Sequence, residues 1–515
     1  MVAPVFFLFT IAFLRQIFIV MFINVKKRKK LKHAIKELAE MSDPEPINYL
    51  IHQIDIALLI DDAPWSTVVL FTTTALRSLN VDSKAILVDA LQKRGLRYNQ
   101  NAANAVEDLF LSCKLRELTD LKNMTDMGGD YQNLFKLIYS DITNTVTRDK
   151  ILSHFKTEAF FMIEKNGGTE IGLKVLSDID DTLYSSGGKF PAGCDKEYPK
   201  HQLYPGVLKF FAALDHESVD EENACNLVFL SARPHVYKDG SERHSYHLFN
   251  SLYKRKLMHV VPTLLPGKLK QGLIATFLFP FIKTKAWKAV GELKYKTFKQ
   301  YCAMYPEYGY VFCGDDGQGD LLAGEMMMAE KNEEERVKAV FIHRVISKGA
   351  ALYNRSSVNT PHEIPKDAAG SEKAFEIQCE EWEKRNIFVT ETYLRAAAHA
   401  FQVDLIDGEQ LQKIGLNAII EFDEIRCLYP ANETKRWLEA EKDFETDIAF
   451  VNGLLSSQKI EPLPEIKRTQ DLFSTRDASA PSFKEANLDV RRRTSVPAKK
   501  LKSAELRHPS LDALL

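Results

Sequence analysis

The chain has 515 residues, 45% hydrophobic and 27% charged, the composition of a globular protein with two or three folded units. Lys and Arg total 68 against 70 Asp and Glu, a balance that excludes the bulk electrostatic attraction of a nucleic-acid binder. Seven cysteines, none in a C-x-x-C pair, argue against a disulfide or zinc framework and read as reduced thiols in a cytosolic setting.

Residues 5–23 are 19 positions of nearly all Phe, Leu, Ile or Val, broken by Arg15 and Gln16. That length just spans a bilayer. No charge precedes it and no small-x-small pattern follows, so a cleaved signal peptide fits poorly. A basic run from Lys26 to Lys32 comes next, which the positive-inside rule keeps cytoplasmic. Residues 1–25 therefore read as a membrane anchor, with an amphipathic surface anchor or a mispredicted start codon as the alternatives. In either case the basic run favours an anionic leaflet, and the chain is expected at the cytoplasmic face of a membrane.

Residues 26–155 read as a helical accessory region. Leu50, Ile51, Ile54, Ala57 and Leu58 recur at helical spacing, as do Ala85, Leu87, Val88, Ala90 and Leu91, with Asp82 and Ser83 at the entry of the second segment. Asn123 opens one of three N-x-S/T sequons, with Asn354 and Asn432; they matter only for a chain facing a lumen.

Over 160–350 the texture changes. The apolar runs 171–176, 226–230, 308–313 and 339–342 predict buried strands separated by helices. Such alternation implies an α/β fold with a parallel, Rossmann-like sheet whose ligands sit at the carboxyl ends of the strands. Residues 351–380 read as a linker, 381–455 as C-terminal helices and 456–515 as a disordered basic tail. In that tail Arg491-Arg492-Arg493-Thr494-Ser495 suits a basophilic kinase acting on Thr494 or Ser495, or is a solvated charge cluster.

The first strand runs into Asp178-Ile179-Asp180-Asp181-Thr182. Two carboxylates at i and i+2 can divide nucleophilic attack from acid/base work, although an acidic run after a strand is often a turn or helix cap. The second strand runs into Ser231-Ala232-Arg233, a hydroxyl and a guanidinium that can bind phosphate oxygens. Gly314-Asp315-Asp316-Gly317-Gln318-Gly319-Asp320 offers carboxylates among glycines, which suits a Mg²⁺ site or a plain Gly/Asp turn. Lys294, read at the head of a helix, can neutralise these carboxylates, with Lys296 as its competitor.

In this order the pieces resemble the haloacid dehalogenase superfamily. With Tyr204-Pro205-Gly206-Val207, residues 294–320, Val340-Phe341-Ile342-His343-Arg344-Val345 and Thr392-Tyr393-Leu394-Arg395, the chain is similar over roughly 165–430 to the lipin-related phosphatidate phosphatase domain of the actin-patch-protein type. The resemblance implies a haloacid dehalogenase domain with little or no cap and a Mg²⁺-dependent hydrolase of lipid metabolism. Asp178 would be the nucleophile and a Mg²⁺ ligand, and Asp180 the acid/base. Thr182, Ser231 and Arg233 would bind substrate, and Lys294 would stabilise charge. Asp178, Asp180, Asp315 and Asp320 form the implied metal set. Asp316 stands where that family usually has a small hydroxyl residue, which leaves the assignment between Asp315 and Asp316 open. The implied partner is an anionic lipid at a membrane surface, with the apolar stretch 273–282 a second candidate for lipid contact or a buried core helix. The other readings are a non-catalytic phosphatidate sensor, disfavoured by the presence of Asp180, and a phosphatase for a soluble ester or phosphoprotein.

Overall fold

The computed structural model describes residues 33, 35–53, 70–126, 132–188, 193–215, 226–234, 240–267, 283–331, 337–346, 368–427 and 434–468. The anchor reading at 1–25, the stretch 273–282, and Thr494 and Ser495 lie outside them. Among the described residues no helix is long and apolar enough to cross a membrane.

The N-terminal part is helical: α1 (Glu45–Gln53), α2 (Val81–Arg94), α3 (Gln100–Leu111), α4 (Leu115–Asp126) and α5 (Thr145–Lys165). The periodic residues Ala85, Leu87, Val88, Ala90 and Leu91 are all buried. The entry of α2 is set by Asn80 rather than Asp82 or Ser83: the Asn80 side chain accepts the Ser83 amide at 2.9 Å. Asn99 and Asn144 cap α3 and α5 in the same way. Asn123, the sequon residue, is 2% exposed and donates to the Tyr308 hydroxyl, so it is no glycosylation acceptor in this fold.

The sheet and its helices follow in the order β1 (Leu173–Ser177), α6 (Val207–Leu214), β2 (Leu227–Pro234), α7 (Gly240–Lys254), β3 (Thr263–Gly267), α8 (Lys283–Cys302), β4 (Gly309–Asp315), α9 (Asp320–Met328), β5 (Ala339–His343), α10 (Ala368–Glu383), β6 (Ile387–Thr390), α11 (Tyr393–Gln402), α12 (Gly408–Cys427) and α13 (Thr434–Ser457). Among the described residues the six strands are all parallel, in the order β3-β2-β1-β4-β5-β6. This is the doubly wound, Rossmann-like arrangement: the chain winds one way from β1 to β3 and the other way from β4 to β6. The direction changes between β1 and β4, which opens a crevice at their carboxyl ends.

Alternate strand residues feed two cores. Leu176, Val228, Phe312 and Val340 face α8, α9, α10 and the N-terminal helices. Val175, Phe229, Val311 and Phe341 face α6, α7, α11, α12 and α13. Burial on both faces explains why the strands read as continuous apolar runs.

Two strands escape the sequence reading. β3 is a five-residue run ending in Pro-Gly, and β6 is four residues inside a helical pattern. The linker reading at 351–380 is corrected where it is described: 368–383 is helical, and Phe375 and Trp382 bury against the sheet. The exposed residues of α10 are mostly charged, with Ile377 the apolar exception, and that charge hid the helix. The tail also starts later than 456, because Leu463 and Ile466 are buried and the Leu463 amide donates to Asn452 at 2.6 Å. The rest of the tail, 469–515, lies outside the described residues.

The helical part is bonded to the beginnings of the strands. Lys122 and Glu307, each 1% exposed, pair at 2.6 Å, and Lys122 also donates to the Met304 carbonyl. Tyr305 donates to Asp126 at 2.6 Å, and Asn133 donates to the Leu264 carbonyl of β3.

Candidate active site

The crevice between β1 and β4 gathers the acidic residues. Asp178 directly follows β1, and its amide donates to the Cys313 carbonyl of β4 at 2.9 Å, so the ladder holds it in register. Asp315 is the last residue of β4 and Asp320 the first of α9. One ligand atom from each of Asp178, Asp315 and Asp320 lies within 4.8 Å of the others, and all three side chains are buried. Three converging carboxylates form a hard oxygen donor set, the kind that holds Mg²⁺ or a similar cation. One Asp315 oxygen (Oδ2) is buried with no hydrogen-bond partner, the lone pairs a cation would take.

Lys294 balances the cluster. Its ammonium lies 2.8 Å from Asp178 and also pairs with Asp320. It sits well inside α8 rather than at a helix head: the helix runs from Lys283 to Cys302. Two residues on, Lys296 is exposed, which settles the competition between them. Burial alone would lower the Lys294 pKa, but the Asp178, Asp320 and Asp315 carboxylates outweigh it and hold the ammonium charged. Burial pushes the Asp178 carboxyl up to about 7; Lys294 opposes the shift, while Asp320 and Asp180 add to it. Asp315 is also raised well above the usual carboxylate range, first by burial and then by its acidic neighbours. A bound cation would reverse these shifts.

Asp180 is half-buried and outside the three-carboxylate group, so of the four expected ligands three converge. Asp316 points elsewhere: its Oδ1 accepts the Val345 and Ile346 amides at 2.8 and 3.2 Å, pinning the chain as it leaves β5. The choice left open between Asp315 and Asp316 therefore falls on Asp315. Thr182 is fully buried, its hydroxyl without a partner and its carbonyl taken by Tyr393 at 2.6 Å. Ser231 and Arg233 lie in the last residues of β2, beside β1, where the register with β3 shifts. Their side chains lie outside the described residues.

Sequence reasoning missed the work of Asp181, which it treated as a turn or cap. Both its carboxylate oxygens accept backbone amides, from Ser186, Cys194 and Asp195. The amides that meet it lie up to 14 residues away, beyond any local motif.

No family model, curated protein or solved structure matches this chain.

Proposed function

We propose that this protein is a Mg²⁺-dependent phosphatase of the haloacid dehalogenase type that hydrolyses phosphatidate to diacylglycerol through an aspartyl-phosphate on Asp178. The observation that carries the reading is the placement of Asp178 at the switch point of a parallel sheet, 2.8 Å from Lys294 and grouped with Asp315 and Asp320. When bound, Mg²⁺ would neutralise phosphate oxygens and favour the ionised carboxylates.

A carboxylate oxygen of Asp178 attacks phosphorus as the bond from phosphorus to the ester oxygen breaks. Asp180 gives its proton to the departing glycerol oxygen. The now ionised Asp180 then takes a proton from water, whose oxygen attacks the aspartyl-phosphate, releasing inorganic phosphate and restoring Asp178. Half-burial suits Asp180 to this part, since it must meet both leaving group and water. Lys294 holds countercharge beside the nucleophile throughout.

The choice of a lipid ester rests on the family resemblance and on the apolar and basic residues at 5–32. The full chain, incubated with Mg²⁺ and phosphatidate vesicles or with a soluble phosphate monoester, tests it by phosphate release. Preferential release from vesicles is expected, with Asp180→Asn slowed by about 10²–10⁴-fold. Vesicle binding without release would favour a lipid sensor, and release from the soluble ester alone would favour a general phosphatase.

A further inference from the structure

We propose that Asp181 is a positioning residue that orients the metal carboxylate Asp315 through Cys194 and Gly317. The inference rests on the metal-dependent reading of the site and names a residue that supports it from behind.

Asp181 lies between the proposed acid/base and Thr182, and it is fully buried. Its φ is +60°, a left-handed conformation that costs a non-glycine residue on the order of 1 kcal/mol and persists only where its surroundings over-determine it. They do so here. The Asp181 amide donates to the Tyr184 carbonyl at 2.8 Å, and its own carbonyl is paired with His343 Nδ1 at 3.0 Å. The carboxylate spends both oxygens on amides: Oδ1 accepts Ser186 at 2.8 Å, and Oδ2 accepts Cys194 at 2.6 Å and Asp195 at 3.1 Å. A carboxylate so occupied anchors the chain at Ser186 and again at Cys194.

Cys194 carries the connection onward. Its thiol donates to the Gly317 carbonyl at 3.3 Å. The fit is close: a Cβ at Gly317 would come within 2.7 Å of the sulfur. The Gly317 amide in turn donates to Asp315 Oδ1 at 2.7 Å, which leaves Oδ2 as the oxygen without a protein partner. Asp181, Cys194, Gly317 and Asp315 thus form one hydrogen-bonded chain from the motif after β1 to the motif after β4. Outer partners of this kind fix the direction of a ligand, and their loss typically weakens metal binding by 10–100-fold.

The test measures metal binding on the full chain without substrate, by titrating Mn²⁺ and reading free ion by electron paramagnetic resonance, with Mg²⁺ as competitor. Asp181→Asn, which puts an amide NH₂ where one acceptor stood, is expected to weaken Mn²⁺ binding about tenfold or more. Cys194→Ala should act in the same direction and Cys194→Ser much less, because serine keeps a donor. If Asp181 acts through Cys194, the Asp181→Asn, Cys194→Ala double variant should lose less affinity than the two single losses combined. A lower melting temperature with unchanged Mn²⁺ affinity would reduce Asp181 to a loop clamp and overturn the proposal. So would additive losses. Should Asp181→Asn fail to fold, unchanged affinity in Cys194→Ala overturns it. A parent chain that binds Mn²⁺ but releases no phosphate overturns the phosphatase reading alone; one that binds no metal overturns both.

Discussion

Asp178, Asp315 and Asp320 crowd three carboxylates into buried space with one ammonium among the described residues, that of Lys294, in contact with Asp178 and Asp320. Without a cation the cluster is short of positive charge, and Asp178 responds by holding its proton up to about pH 7. The unfolded chain would release that proton near 4. Between those values the folded protein binds the extra proton, so stability falls as pH rises through the window. Asp316, also raised to about 7 by burial, adds to the slope. In chelator the melting temperature should therefore drop between about pH 4 and pH 7, and drop less in Asp178→Asn. Mg²⁺ added at pH 7.5 should restore it; a metal-free profile that is flat, or identical in the variant, would contradict the cluster's electrostatics. Asp178 and the pair Asp315-Asp316 were legible because motif chemistry is local and both stand where a strand ends; the choice of Asp315 over Asp316 needed the fold. Between Lys294 and Lys296 the residues alone left the choice open and the resemblance favoured Lys294; the packed helix shows that it is Lys294 that faces inward.

At the scale of elements, the site depends on how closely α8 meets the loop before α9. A Cβ on Gly319 would lie 2.4 Å from the Trp287 carbonyl and 2.6 Å from the Gly291 amide. Helix α8 carries Lys294 and α9 begins with Asp320, so this backbone contact sets their approach. Gly319→Ala should cost about 1–3 kcal/mol by overpacking and slow phosphate release, both read by urea unfolding and assay. Gly453→Ala, where an added methyl meets nothing within 4 Å, should be neutral or slightly stabilising. Equal effects at the two positions would deny the contact any role. The glycines of 314–319 were visible in the sequence as a metal-loop pattern. Their reason was not, since Gly319 is required by a helix that begins 36 residues earlier, at Lys283.

Across the whole molecule, the N-terminal helices are built into the first core rather than set beside it. Phe110, Ile138 and Phe155 share that core with Leu176, Phe312 and Ile342 of the sheet. The buried Lys122–Glu307 pair joins the two parts. Glu307→Gln would leave Lys122 buried without its countercharge, and breaking such pairs costs about 3–5 kcal/mol. The Lys122→Met, Glu307→Leu double variant should recover much of that loss in chemical denaturation; a single-variant loss below about 1 kcal/mol would show the junction to be loose. Periodicity announced the helices and the parallel sheet. It gave no sign of their union, because the residues that make it stand 185 apart in the chain.

The central claim concerns one oxygen of Asp178. The most direct measurement is to mix the full chain and Mg²⁺ with vesicles of ³²P-labelled phosphatidate, quench in acid within milliseconds, and map the label by mass spectrometry. The account predicts an acid-stable, hydroxylamine-sensitive phosphoenzyme with the label on Asp178, absent in Asp178→Asn and slow both to form and to decay in Asp180→Asn. Label on another residue, or turnover that persists in Asp178→Asn, would contradict it.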